Sequence, residues 1–167
     1  MRVMAGAVLL LGGVTILLLG CGEQVATDVP PGSAAVEVRS FFDRNDSSLR
    51  QAHRAVLTDE VAWQQMWDAL RGGSVLPAQP PYVDFDEDMV VFASLGVRAC
   101  CWAVEIGPAY ATDRRLYVVV QERWLSCNPA DTTATAPVAA AVVPRSDRWI
   151  SFLERRVEQG CQPNPGS

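Results

Sequence analysis

Lysine is absent from this 167-residue chain, histidine occurs once, and no cluster of basic residues interrupts the acidic balance of 14 arginines against 19 Asp and Glu, a net charge of −5. The missing lysine reads as genome composition. The missing basic block matters more, because a protein that binds nucleic acid must neutralise phosphates, and this one has nothing concentrated to do it with. Nucleophilic catalysis needs a base beside the nucleophile, and only His53 is available. Neither a Gly-x-Ser-x-Gly elbow nor a His-Glu-x-x-His helix accompanies it, so His53 is expected to be a partly exposed structural residue and the protein to be non-enzymatic. Phosphate loops, dinucleotide fingerprints and internal repeats are missing too. The acids Asp84, Asp86, Glu87 and Asp88 lack the spacing of a calcium loop and read as a solvated turn before a strand. No metal or other cofactor is expected.

What the chain does contain begins with an apolar leader. Met1 and Arg2 precede a hydrophobic stretch from Val3 to Leu19, which ends in Leu18-Leu19-Gly20-Cys21, the pattern that lipoprotein signal peptidase reads. Residues Gly22 to Asp28 lack the positive flank of a stop-transfer segment. The expectation is a lipoprotein signal peptide over 1–20, lipid attachment at Cys21 and a flexible tether over 21–33, the last part being Val29-Pro30-Pro31-Gly32-Ser33. Loss of the leader removes Arg2 alone and takes the net charge from −5 to −6. A single domain over 34–161 and a disordered tail over 162–167 complete the organisation, the length sufficing for one real core. The expected location is a bacterial cell envelope. Gly22, standing where Asp would signal inner-membrane retention, favours the outer membrane in an organism that has one.

Within the domain, Ala35 to Arg39 alternates like a strand with one wet face, Asp43 to Ser48 reads as a polar turn, and His53 to Leu57 as a second short strand. One helix stands out. Thr58 is its expected N-cap, Asp59 and Glu60 suit the positive end of its dipole, and Trp63, Met66, Trp67 and Leu70 form an apolar stripe as core anchors. A ligand platform would also use two tryptophans on one face, yet this stripe is the only face the helix could bury. Gly72-Gly73 closes it in a left-handed turn. Strand-like runs follow at Met89–Leu95, Trp102–Ile106, Leu116–Trp124, Val138–Val143 and Trp149–Val157. The expected class is β-dominated α+β, a small antiparallel sheet sandwich or partly open barrel with one amphipathic helix packed on it.

Four cysteines remain beside Cys21, namely Cys100, Cys101, Cys127 and Cys161, and an exported protein is expected to hold them as two disulfides and not as a metal site. A hairpin turning at Thr112–Arg115 can place Val104 against Trp124, Glu105 against Arg123 and Cys101 against Cys127. This register predicts Cys101–Cys127 and Cys100–Cys161, while a one-residue shift pairs Cys100 with Cys127. A vicinal Cys100–Cys101 bond is disfavoured, because neighbours on a strand point to opposite faces.

The succession Val56-Leu57-Thr58-Asp59, Trp63, Trp67, Val83-Asp84-Phe85, Met89-Val90-Val91, Leu95-Gly96, Arg98, Leu116 to Val120 and Val142 to Asp147 resembles the PrcB C-terminal-like domain. The resemblance spans roughly His53 to Phe152 and implies a lipoprotein associated with stabilising a secreted protease complex. After Arg98 the family continues with a Pro-Thr-Gly-Gly-Tyr-like segment, where this chain has Ala99-Cys100-Cys101-Trp102. Arg98 and Trp102 are thus the candidate partner loop. The reading is a non-enzymatic module that binds an envelope or secreted protein, a protease among the candidates. A protease inhibitor of small-β-domain type is one alternative, weakened by Cys-Cys in place of Gly-Gly; an envelope hydrolase, disfavoured by the lone histidine, is another. Replacing Cys21 by Ser should block lipidation and leave an uncleaved precursor, and intact-mass measurement of the membrane-extracted protein checks this through the acyl adduct.

Overall fold

The computed structural model describes residues 29–72, 76–99, 101–124 and 133–158. The segment expected to be a signal peptide (1–20), Cys21, Cys100, Cys127, Cys161 and the 162–167 tail lie outside them. Eight strands and one helix follow in the order β1 Ala34–Val36, β2 Arg39–Arg44, β3 Ala52–Leu57, α1 Glu60–Arg71, β4 Asp88–Leu95, β5 Trp102–Ala111, β6 Arg115–Trp124, β7 Val138–Pro144 and β8 Trp149–Glu158. They build a middle sheet ordered β2-β7-β4-β3 and an outer sheet ordered β1-β5-β6-β8. Every pairing is antiparallel except β6 with β8, which run parallel because the chain crosses through the middle sheet as β7 between them. The architecture is the sandwich and not the barrel.

The middle sheet is buried on both faces. One face, through Met89, Val91, Ala93, Leu95, Ala139, Ala141 and Val143, packs against Val104, Ile106, Leu116, Val118 and Val120 of the outer sheet. The other, through Val90, Phe92, Val138, Ala140 and Val142, packs against Trp63, Trp67 and Leu70 of α1. Strands without a wet face read as continuous apolar runs, and β4 and β7 do so.

The single strand expected from Ala35 to Arg39 is two. β1 pairs with the end of β5, and after Glu37 and Val38 the chain changes sheet and pairs as β2 with β7. Asp43 and Arg44, expected in a turn, end β2. The N-cap of α1 is Asp59, whose Oδ1 accepts from the Ala62 amide at 2.8 Å; Thr58 stands one residue too early to reach it. Gly72 is not left-handed, with φ at −38°. A Cβ there would sit 2.9 Å from Ser48 Oγ, and that hydroxyl donates to the carbonyls of Ala69 and Leu70, closing the helix C-terminus from another part of the chain.

The β5–β6 register also differs from the expected one. Trp102 faces Trp124, Val104 faces Glu122 and Glu105 faces Gln121, an offset of two residues that preserves the inward set. Arg123 still donates to Glu105 at 2.9 Å, but diagonally. The ladder shifts again between Ile106 and Ala109, where Gly107 and Pro108 supply a bulge and a residue with no amide hydrogen to pair. Cys101 precedes β5 with φ at 78°, so it is not part of the strand, and the face-alternation argument does not reach it.

Trp63 and Trp67 are 1% and 2% exposed, edge-on to one another at 5.5 Å. Phe41 and Phe42 of β2 close over them. Their indole N–H groups donate to Pro81 O at 3.0 Å and Pro77 O at 2.9 Å, so burying the rings also ties down the proline connector. Met66, expected in the same core stripe, is only half-buried, on the flank of the helix. Trp67→Ala should lower unfolding free energy by about 3–5 kcal/mol, as denaturant titration reads it.

Candidate functional site

β3 is an edge strand. It pairs with β4 on one side only, so alternate backbone amides and carbonyls along it point away from its partner. α1 lies along the same border of the middle sheet, and between helix and strand runs a groove of roughly 640 Å³. Leu57, Ala62, Met66 and Ala69 give it apolar walls; Arg50 and His53 stand at its rim. No carboxylate lines it. That is notable in an acidic chain, and no ion pair among the described residues engages Arg50.

The strand is held in place from three directions. Arg54 reaches across to β8 and binds the Glu154 carboxylate through both oxygens, at 2.8 and 2.7 Å, while donating to Ser94 O at 2.6 Å; this bidentate pair links the edge of one sheet to the edge of the other. Gly96, at φ 67°, lets the backbone of residues 50–52 approach so closely that a Cβ would stand 2.7 Å from Ala52 N. Val97 N then donates to Arg50 O at 3.2 Å. In the β2–β3 connection, Arg44 grips Asp46 at 2.7 and 2.8 Å and braces the turn leading to Leu49 and Arg50.

The residues singled out from sequence fall elsewhere. Trp102 packs edge-on against Trp124 at 5.1 Å, with the Arg156 guanidinium 5.0 Å above its ring. Arg98 exchanges backbone hydrogen bonds with Thr135 at 2.8 and 2.9 Å. No hydrogen bond or ring contact joins Arg98 to Trp102 among the described residues, and Cys100 of the expected partner loop lies outside them. His53 is exposed on β3, 6.5 Å from the Phe92 ring, and its imidazole makes no hydrogen bond among the described residues. Asp84 caps its own turn by accepting from the Asp86 amide, and Asp88 pairs with Arg39. Two of these four acids thus spend side-chain oxygens on turn and strand, and no group of metal-ligating residues is found among the described ones.

A second hollow, about 660 Å³, opens between β2 and β5; of the charges lining it Arg123 and Glu105 pair with each other, Arg44 pairs with Asp46, and Asp43 is exposed at its edge. The groove at β3 was hidden in the sequence, because an edge is a property of sheet order. Its one legible trace is Ala62, Met66 and Ala69, an apolar row beside the buried row Trp63, Trp67 and Leu70. No protein-family model, curated protein or solved structure matches the chain.

The hydrogen bonds from Arg44 hold the Asp46 carboxyl below its ordinary range, and they outweigh the opposing desolvation. A lowered folded-state value means stability that is present above the ordinary carboxylate pKa and lost as pH falls through the lowered one. The pair is exposed, so the effect is small. Asp46→Asn should cost less than about 1 kcal/mol at neutral pH, and its difference from the parent should vanish as denaturation is followed down through and below about pH 4.

Proposed function

We propose that this protein is a non-enzymatic, lipid-anchored envelope module that binds, and thereby stabilises, another protein. The observation that carries the reading is the β3 edge beside the apolar flank of α1. An edge strand offers a partner main-chain hydrogen bonds, and a neighbouring groove accepts alternate side chains; together they suit an extended segment added to the sheet. Arg50 and His53, unopposed by acids in the lining, suit a carboxylate on that segment. The resemblance to the PrcB C-terminal-like domain supplies the kind of partner, a secreted protease complex whose lifetime the module prolongs. A lone exposed histidine, whose cross-strand neighbour Ser94 is buried with its hydroxyl bonded to backbone, supports the non-enzymatic reading.

Ala69 is an exposed helix position at the groove wall, and arginine is a good helix former, so Ala69→Arg fills the groove without disturbing the core. Proteins retained by the parent chain from detergent-solubilised envelopes should be lost by this variant at an unchanged melting temperature. Equal retention by both would remove the groove from the reading. Turnover of peptide substrates by the purified protein would overturn the non-enzymatic assignment.

A further inference from the structure

The seven ion pairs among the described residues engage Arg39, Arg44, Arg54, Arg71, Arg123 and Arg156. The unengaged arginines are not scattered evenly. Arg114 and Arg115 in the β5–β6 turn, and Arg145 and Arg148 in the β7–β8 connection, are exposed and gather at one end of the sandwich, since Arg115 pairs in register with Trp149 and Trp149 N donates to Arg114 O. Arg148 Nε donates to Thr112 O at 2.8 Å and links the two turns. On the outer-sheet side of this end Arg114, Arg115 and Arg148 stand with Asp113 and Asp147, whereas Arg145 lies on the middle-sheet side beside the acids that precede β4, its amide bonded to Glu87 O. Trp149 stands at the same end, 79% exposed, a large apolar ring that the fold leaves in water.

The same end receives the chain from its N-terminal segment. Ala34, the first residue of β1, pairs with Ala111, immediately before the arginine-bearing turn. A tether from Cys21 therefore joins the domain at the same end as Trp149 and these arginines. We infer that this end is a membrane-contact surface, on which Trp149 enters the interfacial layer and Arg114, Arg115 and Arg148 meet anionic lipid headgroups. Tryptophan favours that layer because its ring is apolar and its N–H polar, and arginine near an anionic surface adds attraction that a single lipid anchor does not supply. The inference rests on the anchoring at Cys21 in the proposed function. It also orients the molecule: along the middle sheet, Asp88 and Pro144 lie toward the patch, whereas Ala52 and Leu95 lie at the far end, so the Arg50–His53 rim of the groove stands off the bilayer by about 20 Å, a strand's length.

The test uses the full lipoprotein reconstituted into phosphatidylglycerol-containing vesicles with brominated acyl chains, which quench tryptophans that enter the bilayer. The parent protein should be quenched, Trp149→Phe should lose that quenching, and Arg114→Gln/Arg115→Gln should lose most of it; phosphatidylcholine vesicles should give little with any variant. Equal emission from parent and Trp149→Phe on anionic vesicles overturns the inference, as does quenching insensitive to the arginine substitutions, and a surface reserved for a protein partner gives the first of these results. Intact mass separates this from a failure of anchoring. Should the chain carry no acyl group, its co-sedimentation with anionic but not neutral vesicles, abolished in the same variants, still supports the patch, and absence of sedimentation overturns it.

Discussion

The middle sheet has no face left for water, and this burial on both sides governs the rest of the molecule. β4 and β7 must be apolar over nearly their whole length, with buried Ser94 of β4 satisfied by donating to Gln51 O, and the layers must stand close enough to touch from both sides. Small residues solve the second requirement: Ala139, Ala140 and Ala141 in β7 let the outer sheet and α1 both approach. Bulk then has to come from elsewhere, and on the helix side it comes from Trp63 and Trp67, supported by Phe41, Phe42 and Phe92. The polar edges of those indoles are satisfied by the proline connector, so a segment with little regular structure of its own becomes part of the packing.

Burying a sheet twice concentrates exposure at its borders. β2 and β3 are where the middle sheet meets solvent, and the two borders are treated differently. At β2 the chain arrives from the outer sheet, so the strand that would have been a free edge is continuous with β1 and covalently joins the layers. At β3 the joint is ionic, Arg54 to Glu154, and the flank facing α1 stays open. The open border at β3 is the one where an unpaired strand edge lies beside an apolar groove.

Patterns carried by single elements were legible in the sequence. The helix, its buried face and the apolar runs of β4 and β7 follow from periodicity and length, and with few helical signals they imply a β-dominated sandwich. What was not legible depends on partners distant in the chain. Asp59 and Thr58 are both good caps, and backbone geometry chooses between them. The hairpin register looked determined by Glu105 and Arg123, but long side chains bridge diagonals as readily as direct pairs. Cys101 sits in a region of backbone space that few non-glycine residues visit, and no local signal marks it. The groove and the arginine-rich end are composed of ordinary residues whose meaning arises only once sheet order and register are known.

The change of sheet between β1 and β2 also has a mechanical meaning. Any tension on the residues before Ala34 is delivered first to the three pairs that β1 makes with β5, and only after those have parted does it reach the longer ladder of β2 with β7. The arrangement works as a short sacrificial seam ahead of a longer one: a load can lengthen the chain by the span of β1 and its link, giving up the contacts of Val36 and Val38 with the core between the sheets, before the β2–β7 ladder bears it.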